Sequence, residues 1–125
     1  MERFLRSAAV LILMAGSSPL AEGAWGGPHI QMTVGPEGAV VEMDCAHGAI
    51  DGPVAVGSDG RFRASGTYAA EHGGPVREGE EAGRAAVYEG RVEGKKLTLV
   101  IKVAEEEVGT FELTHGRSGR ITKCL

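Results

Sequence analysis

The chain has 125 residues, 42% hydrophobic but only 5% aromatic, with 20 glycines, two cysteines and a formal net charge of −4. Mild acidity with scattered basic residues argues against nucleic acid or an anionic membrane surface as a partner. The length suits one small domain, whose core must come from Val, Leu, Ile, Met and Ala.

Residues 1–23 read as a secretory signal peptide. Arg3 and Arg6 supply a positive start, and Ala8 to Ala15 form an apolar run too short to span a bilayer as a stable helix. Gly16 to Pro19 break that run, and Ala21-Glu22-Gly23 places small residues at positions −3 and −1 of a peptidase site. The cut is therefore expected before Ala24, leaving a single β domain over 24–125. No cysteine lies just after the apolar run, so a lipid anchor is not expected. The expected product is soluble and exported, periplasmic or secreted, with no stable membrane insertion after cleavage.

From His29 onward the pattern has period two, with turns at short intervals. Ile30, Met32 and Val34 share one face, Gly35 to Gly38 turn, and Val41, Met43 and Cys45 share the inward face of the return. Ala46 to Val56 is broken by Gly48, Gly52 and Pro53 and reads as a bent or edge strand. Arg61 to Ala70 alternates most clearly, with Phe62, Ala64, Gly66, Tyr68 and Ala70 inward. Residues 71–83 have no periodicity and form the longest loop. Ala86 to Val92 and Leu97 to Val103 make the best hairpin, Gly109 to Leu113 follows Glu105-Glu106-Glu107, and Arg120 to Cys124 is read as a last strand.

Seven to eight short strands joined by tight turns predict an all-β antiparallel meander, small and barrel-like, with a two-sheet sandwich as the alternative. Gly66 and Gly90 on inward faces favour the barrel, because a missing side chain permits the coiling that closure requires.

A domain this small with few aromatics has a thin core, and exported domains of that kind often add a covalent staple. Cys45 and Cys124 allow one intramolecular pairing, closing a loop of about 80 residues. The competing use is a metal site, since Cys45 and His47 would share a strand face, but Cys-x-His lacks the spacing of a structural zinc site.

Four motifs, Trp25-Gly-Gly-Pro-His29, Asp44-Cys-Ala-His-Gly48, Glu71-His-Gly-Gly-Pro75 and Lys123-Cys-Leu125, together resemble a group of small exported bacterial proteins with no assigned function. The resemblance covers nearly the whole mature chain and implies no chemistry. The outline also resembles lipocalin-like barrels, and a shared fold does not give function.

Candidate sites rest on their own residues. His29, His47 and His72 each adjoin glycine or proline, at expected strand ends or in loops, where functional groups collect. Imidazoles gathered there could bind a transition metal, with Asp44 or Glu71 assisting, or each could be a turn histidine with its own hydrogen bond. Glu78, Glu80 and Glu81 could hold calcium or simply be solvated. Trp25 either plugs one barrel end or contacts a ligand.

The meander places His29, His47 and His72 on one rim beside the disulfide, so Trp25, His29, Asp44, His47, Glu71 and His72 form the candidate binding rim. The leading expectation is a non-catalytic binding module for a small ligand or a protein partner, needing no cofactor. A metal-binding protein using the rim histidines and a small hydrolase are the alternatives. Against catalysis, Ser58, Ser65 and Ser118 lack a nucleophile-elbow context, and a paired Cys45 cannot attack.

Overall fold

The computed structural model describes residues 16–78 and 83–124. The apolar run Ala8 to Ala15 of the expected signal peptide, together with Glu80 and Glu81, lies outside the described residues. The strands are β1 Ser17–Pro19, β2 Gly23–Gly27, β3 Ile30–Gly35, β4 Gly38–Met43, β5 Ala46–Asp51, β6 Ala55–Gly57, β7 Arg61–Ala70, β8 Arg84–Glu93, β9 Lys96–Val103 and β10 Glu106–His115. Eight of them close into an antiparallel barrel in the order β10-β2-β3-β4-β5-β7-β8-β9, while β1 and β6 form a separate two-stranded sheet. The barrel reading holds and the sandwich does not, because each barrel strand pairs with the next in the chain and β10 returns to β2.

Alternation selects the inward residues. Ile30, Met32 and Val34 on β3, Ala39, Val41 and Met43 on β4, and Leu97, Leu99, Ile101 and Val103 on β9 are all buried. Trp25 and Tyr88 are the largest fully buried side chains, and they fill the lumen with aliphatic neighbours packed around them. The Tyr88 hydroxyl, raised well above its ordinary pKa by burial, donates to the carbonyl of Thr67 at 2.6 Å. Gly48 makes room for it: a Cβ there would collide with both the Tyr88 hydroxyl and the Thr67 carbonyl oxygen. Gly90 is required similarly, since its Cβ would meet the Phe62 ring.

Three expectations are revised. Ala46 to Val56 splits into β5, a full barrel strand, and β6, which leaves the barrel to pair with β1; Gly52, at φ 81, and Pro53 make that break. Arg120 to Cys124 is no strand, because its hydrogen bonds reach successive turns instead of one ladder, and only an isolated bridge from Arg120 to Pro28 is regular. The eighth barrel strand is β2, whose glycines hide a period of two. At the end of β7, Ala69 is buried and Ala70 exposed, opposite to the expected alternation.

The connections sort into two ends. One end carries the β2–β3, β4–β5, β7–β8 and β9–β10 connections, and the Cys45–Cys124 disulfide lies there. At the other, Leu20 and Val54 are buried beside β1 and β6. Among the described residues no helix is long and apolar enough to cross a membrane.

Gly48→Ala is expected to destabilise the protein by about 1–3 kcal/mol through overpacking. Tyr88→Phe alone should cost about 1 kcal/mol for the lost hydrogen bond. Thermal unfolding of the double variant should show less than the sum of the two, because removing the hydroxyl removes one of the two collisions.

The clasp at the disulfide end

The C-terminal tail builds this end. After β10 the chain turns at Gly116 and crosses the outer surface of β2 and β3, where Gly26 and Gly119 let backbones approach so closely that a Cβ on either would overlap the other segment. The Gly119 amide donates to the side-chain oxygen of Gln31 on β3. Arg120 then bonds the β2–β3 turn, its amide to the Gly27 carbonyl at 3.1 Å and its carbonyl to the His29 amide at 2.7 Å. The Cys45 amide in the β4–β5 turn donates to the Thr122 carbonyl at 3.3 Å. Cys45 and Cys124 close the disulfide across a Cα separation of 4.9 Å and 79 residues of sequence.

Side chains repeat the same fastening. Asp44 accepts from the Thr122 amide at 2.7 Å through Oδ1 and meets Nδ1 of His29 at 2.6 Å through Oδ2. The Thr122 amide first, and His29 second, hold the Asp44 carboxyl below its usual range. Glu71 meets Nδ1 of His47 at 2.7 Å and the ammonium of Lys123 at 3.0 Å through one oxygen. The His47 bond and then Lys123 lower its pKa likewise. Lys123 also pairs with Glu42 at 2.7 Å and donates to the carbonyls of Met43 and Ala46. Burial works against its charge, yet Glu42 and Glu71 leave the ammonium with a raised pKa.

Two histidine–carboxylate pairs therefore flank the tail, one joined to it through Asp44 and Thr122, the other through Glu71 and Lys123. The topology sets His29, His47 and His72 at the same end: Ala46 pairs with Ala70, and the Glu71 amide donates to the Cys45 carbonyl at 2.8 Å. Nδ1 of His72 bonds the Gly73 carbonyl at 2.8 Å. Among the described residues no three His, Cys, Asp or Glu side chains are grouped to hold a metal ion, and each rim histidine has its own partner. Of the calcium candidates, Glu78 is exposed, while Glu80 and Glu81 lie outside the described residues.

Trp25 does not belong to the rim. At 1% exposure it is core, its indole N–H donating to the Ala21 carbonyl at 2.9 Å and its ring 4.7 Å from that of His115, so the plug reading describes it. Trp25 pairs with Met32 across β2 and β3 and so shares the inward face of β3, a register that the glycines around Trp25 hide in the sequence. Lys123 and Glu42 were missed; the pairing of the adjacent Cys124 with Cys45 was the clue that Lys123 lands beside β4 and β5.

Reducing the disulfide, or replacing Cys45 and Cys124 by Ser, is expected to lower stability by about 4–5 kcal/mol in the chain-entropy account. Intact mass under denaturing conditions should gain two hydrogens only after reductant is added.

Asp44 and Glu71 have folded pKa values below the unfolded references of 3.8 and 4.5. Their contribution is thus complete above those references and is lost as pH falls through the lowered folded values. The melting temperature should drop between about pH 5 and about pH 3, and Asp44→Asn with Glu71→Gln should flatten that drop.

No family model, no curated protein and no solved structure matches this chain.

Proposed function

We propose that this is an exported, non-catalytic binding module that receives a protein partner at its disulfide end. The observation that carries the reading is backbone strain. Among the described residues the non-glycine positions with positive φ are His29 at 70°, Cys45 at 54°, Ala104 at 52° and Glu105 at 67°, and all four lie in connections of that end. Turns at the opposite end place Gly38, Gly52, Gly60, Gly94 and Gly116 in that region, and at the disulfide end the long β7–β8 connection does the same with Gly74 and Gly83. A left-handed backbone costs an L-residue about 1–2 kcal/mol, and such strain collects where side chains serve a contact. The staple accounts for Cys45, but nothing in the packing accounts for Ala104 and Glu105, which form the two-residue β9–β10 loop without glycine.

Other features support the choice of partner and compartment. A lumen filled by Trp25, Tyr88 and aliphatic side chains favours a contact on the rim over a small apolar ligand inside. Val108, 42% exposed beyond the same loop, adds apolar surface. Both His29 and His47 spend Nδ1 on carboxylates that anchor the tail, which suits a fixed binding surface. A single disulfide and the layout of the first residues suit an oxidising, exported setting.

Ala104→Gly and Glu105→Gly are expected to raise stability by about 1 kcal/mol each while weakening the partner complex. Native mass spectrometry of protein from its own host should show a protein of defined mass bound at fixed stoichiometry, depleted in the two variants. A stoichiometric metal would favour the histidine reading instead, and variants that gain stability with undiminished complex would remove this end as the site.

A further inference from the structure

The Gly23–Ala24 bond, where small residues suggest a peptidase cut, lies inside β2. Gly23 pairs with Val34 and Ala24 with Thr33, and the Gly116 amide donates to the Ala24 carbonyl at 2.7 Å. Residues ahead of that bond are also built into the domain. Ser17, Ser18 and Pro19 pair with Gly57, Val56 and Ala55. The Leu20 amide donates to the Val54 carbonyl at 3.0 Å, and the Leu20 side chain is 4% exposed. The Ala21 carbonyl accepts from the buried Trp25 indole at 2.9 Å, and the Glu22 carbonyl meets Nε2 of His115 at 2.8 Å.

A chain beginning at Ala24 would keep the Ala24 pairing with Thr33 but lose every contact made by residues 17–23. It would leave the only tryptophan N–H without its acceptor, uncover Val54, and set a new α-ammonium on the second rung of the β2–β3 ladder. Peptidase acts on the unfolded chain during export, so the fold does not block that cut. It does show what the cut would remove.

We propose that the leader is removed after Ser17, so that residues 18–23 stay in the mature protein as a strap closing the end opposite the disulfide. Ala15-Gly16-Ser17 also offers small residues at positions −3 and −1, directly after the apolar run. A cut there costs the strap only its first strand pair, Ser17 with Gly57. Leu20 then acts as the stopper of that end, held in register by β6, and the leader and the folded domain meet in a segment with no other duty. The cleavage part of this inference rests on the exported reading; the strap part does not.

Two measurements test it separately. The intact mass of the exported protein should correspond to a first residue of Ser18; a first residue of Ala24, or an uncut chain, overturns the assigned cut. Oxidised proteins beginning at Ser18 and at Ala24 should then be compared directly. The longer form should melt roughly 10 °C higher, and acrylamide should quench its Trp25 fluorescence at least about twofold less, as expected for an indole shielded from solvent. Equal melting temperatures and equal quenching would overturn the strap, whatever the outcome for export or for the partner.

Discussion

Closure of the barrel rests on β2, a five-residue strand with three glycines that meets β10 at two residue pairs, Gly26 with Thr114 and Trp25 with His115. Neighbouring strands are joined over longer ladders; β7 and β8, for instance, pair continuously from Arg61–Arg91 to Tyr68–Arg84. An open sheet would expose the edges of β2 and β10 to any other chain, so this short seam decides whether the fold stays closed. Trp25 also hangs from β2, so the largest buried side chain is only as secure as the strand that carries it. Both flanking segments of the chain are used to secure it. On the N-terminal side, Ala21 and Glu22 bond Trp25 and its ring neighbour His115. On the C-terminal side, Arg120 bonds Gly27 and the turn after it.

The disulfide gains its purpose from that arrangement. A tail that only touched β2 would fray, because terminal segments lose little by leaving. Anchoring Cys124 to Cys45, two strands further round, draws the tail taut over β2 and β3 and makes its bonds to Gly27, His29 and Gln31 effectively intramolecular at short range. Gly26 and Gly119 are part of the same device, since side chains there would lift the tail off the barrel. The Asp44 and Glu71 contacts then fix the register of the last residues. Exposed ion pairs of this kind contribute little singly, but here each carboxylate also takes a tail donor, the Thr122 amide or the Lys123 ammonium, so the cluster acts as a clasp.

Much of the barrel was legible because its strands bury alternate residues. β3, β4 and β7 to β9 advertise that with Val, Ile, Leu and Met at every second position, and the staple followed from cysteine count and expected compartment. What stayed hidden was the part whose pattern belongs to backbone, not side chains. Gly26 and Gly27 give β2 no alternation to read, and their use becomes visible only when the tail lies on them. Thr122 and Lys123 look like strand residues, yet their partners are turns some 77 to 80 positions away. The common end of the three histidines came from counting hairpins, a topological argument that needs no side-chain detail. Their separate partners did not, because which carboxylate each ring meets depends on where the tail settles.

The two ends of the barrel therefore solve the same geometric problem with different residues. Tight connections between antiparallel strands often require φ > 0, and glycine meets that need at least cost. The end closed by Leu20 uses glycine at five such positions, and nothing there demands a side chain in the turns. At the clasp end Gly74 and Gly83 do this in the long β7–β8 connection, but in the tight connections the same backbone state falls on histidine, cysteine, alanine and glutamate. His29 needs its ring to meet Asp44, and Cys45 needs its sulfur for the tail. For Ala104 and Glu105 no internal contact offsets the strain, and their hairpin lies at the rim among connections already held rigid by the clasp. Both ends therefore help keep the small barrel shut, one with Leu20 beneath relaxed turns and the other with a clasp whose tight turns hold side chains in a strained backbone.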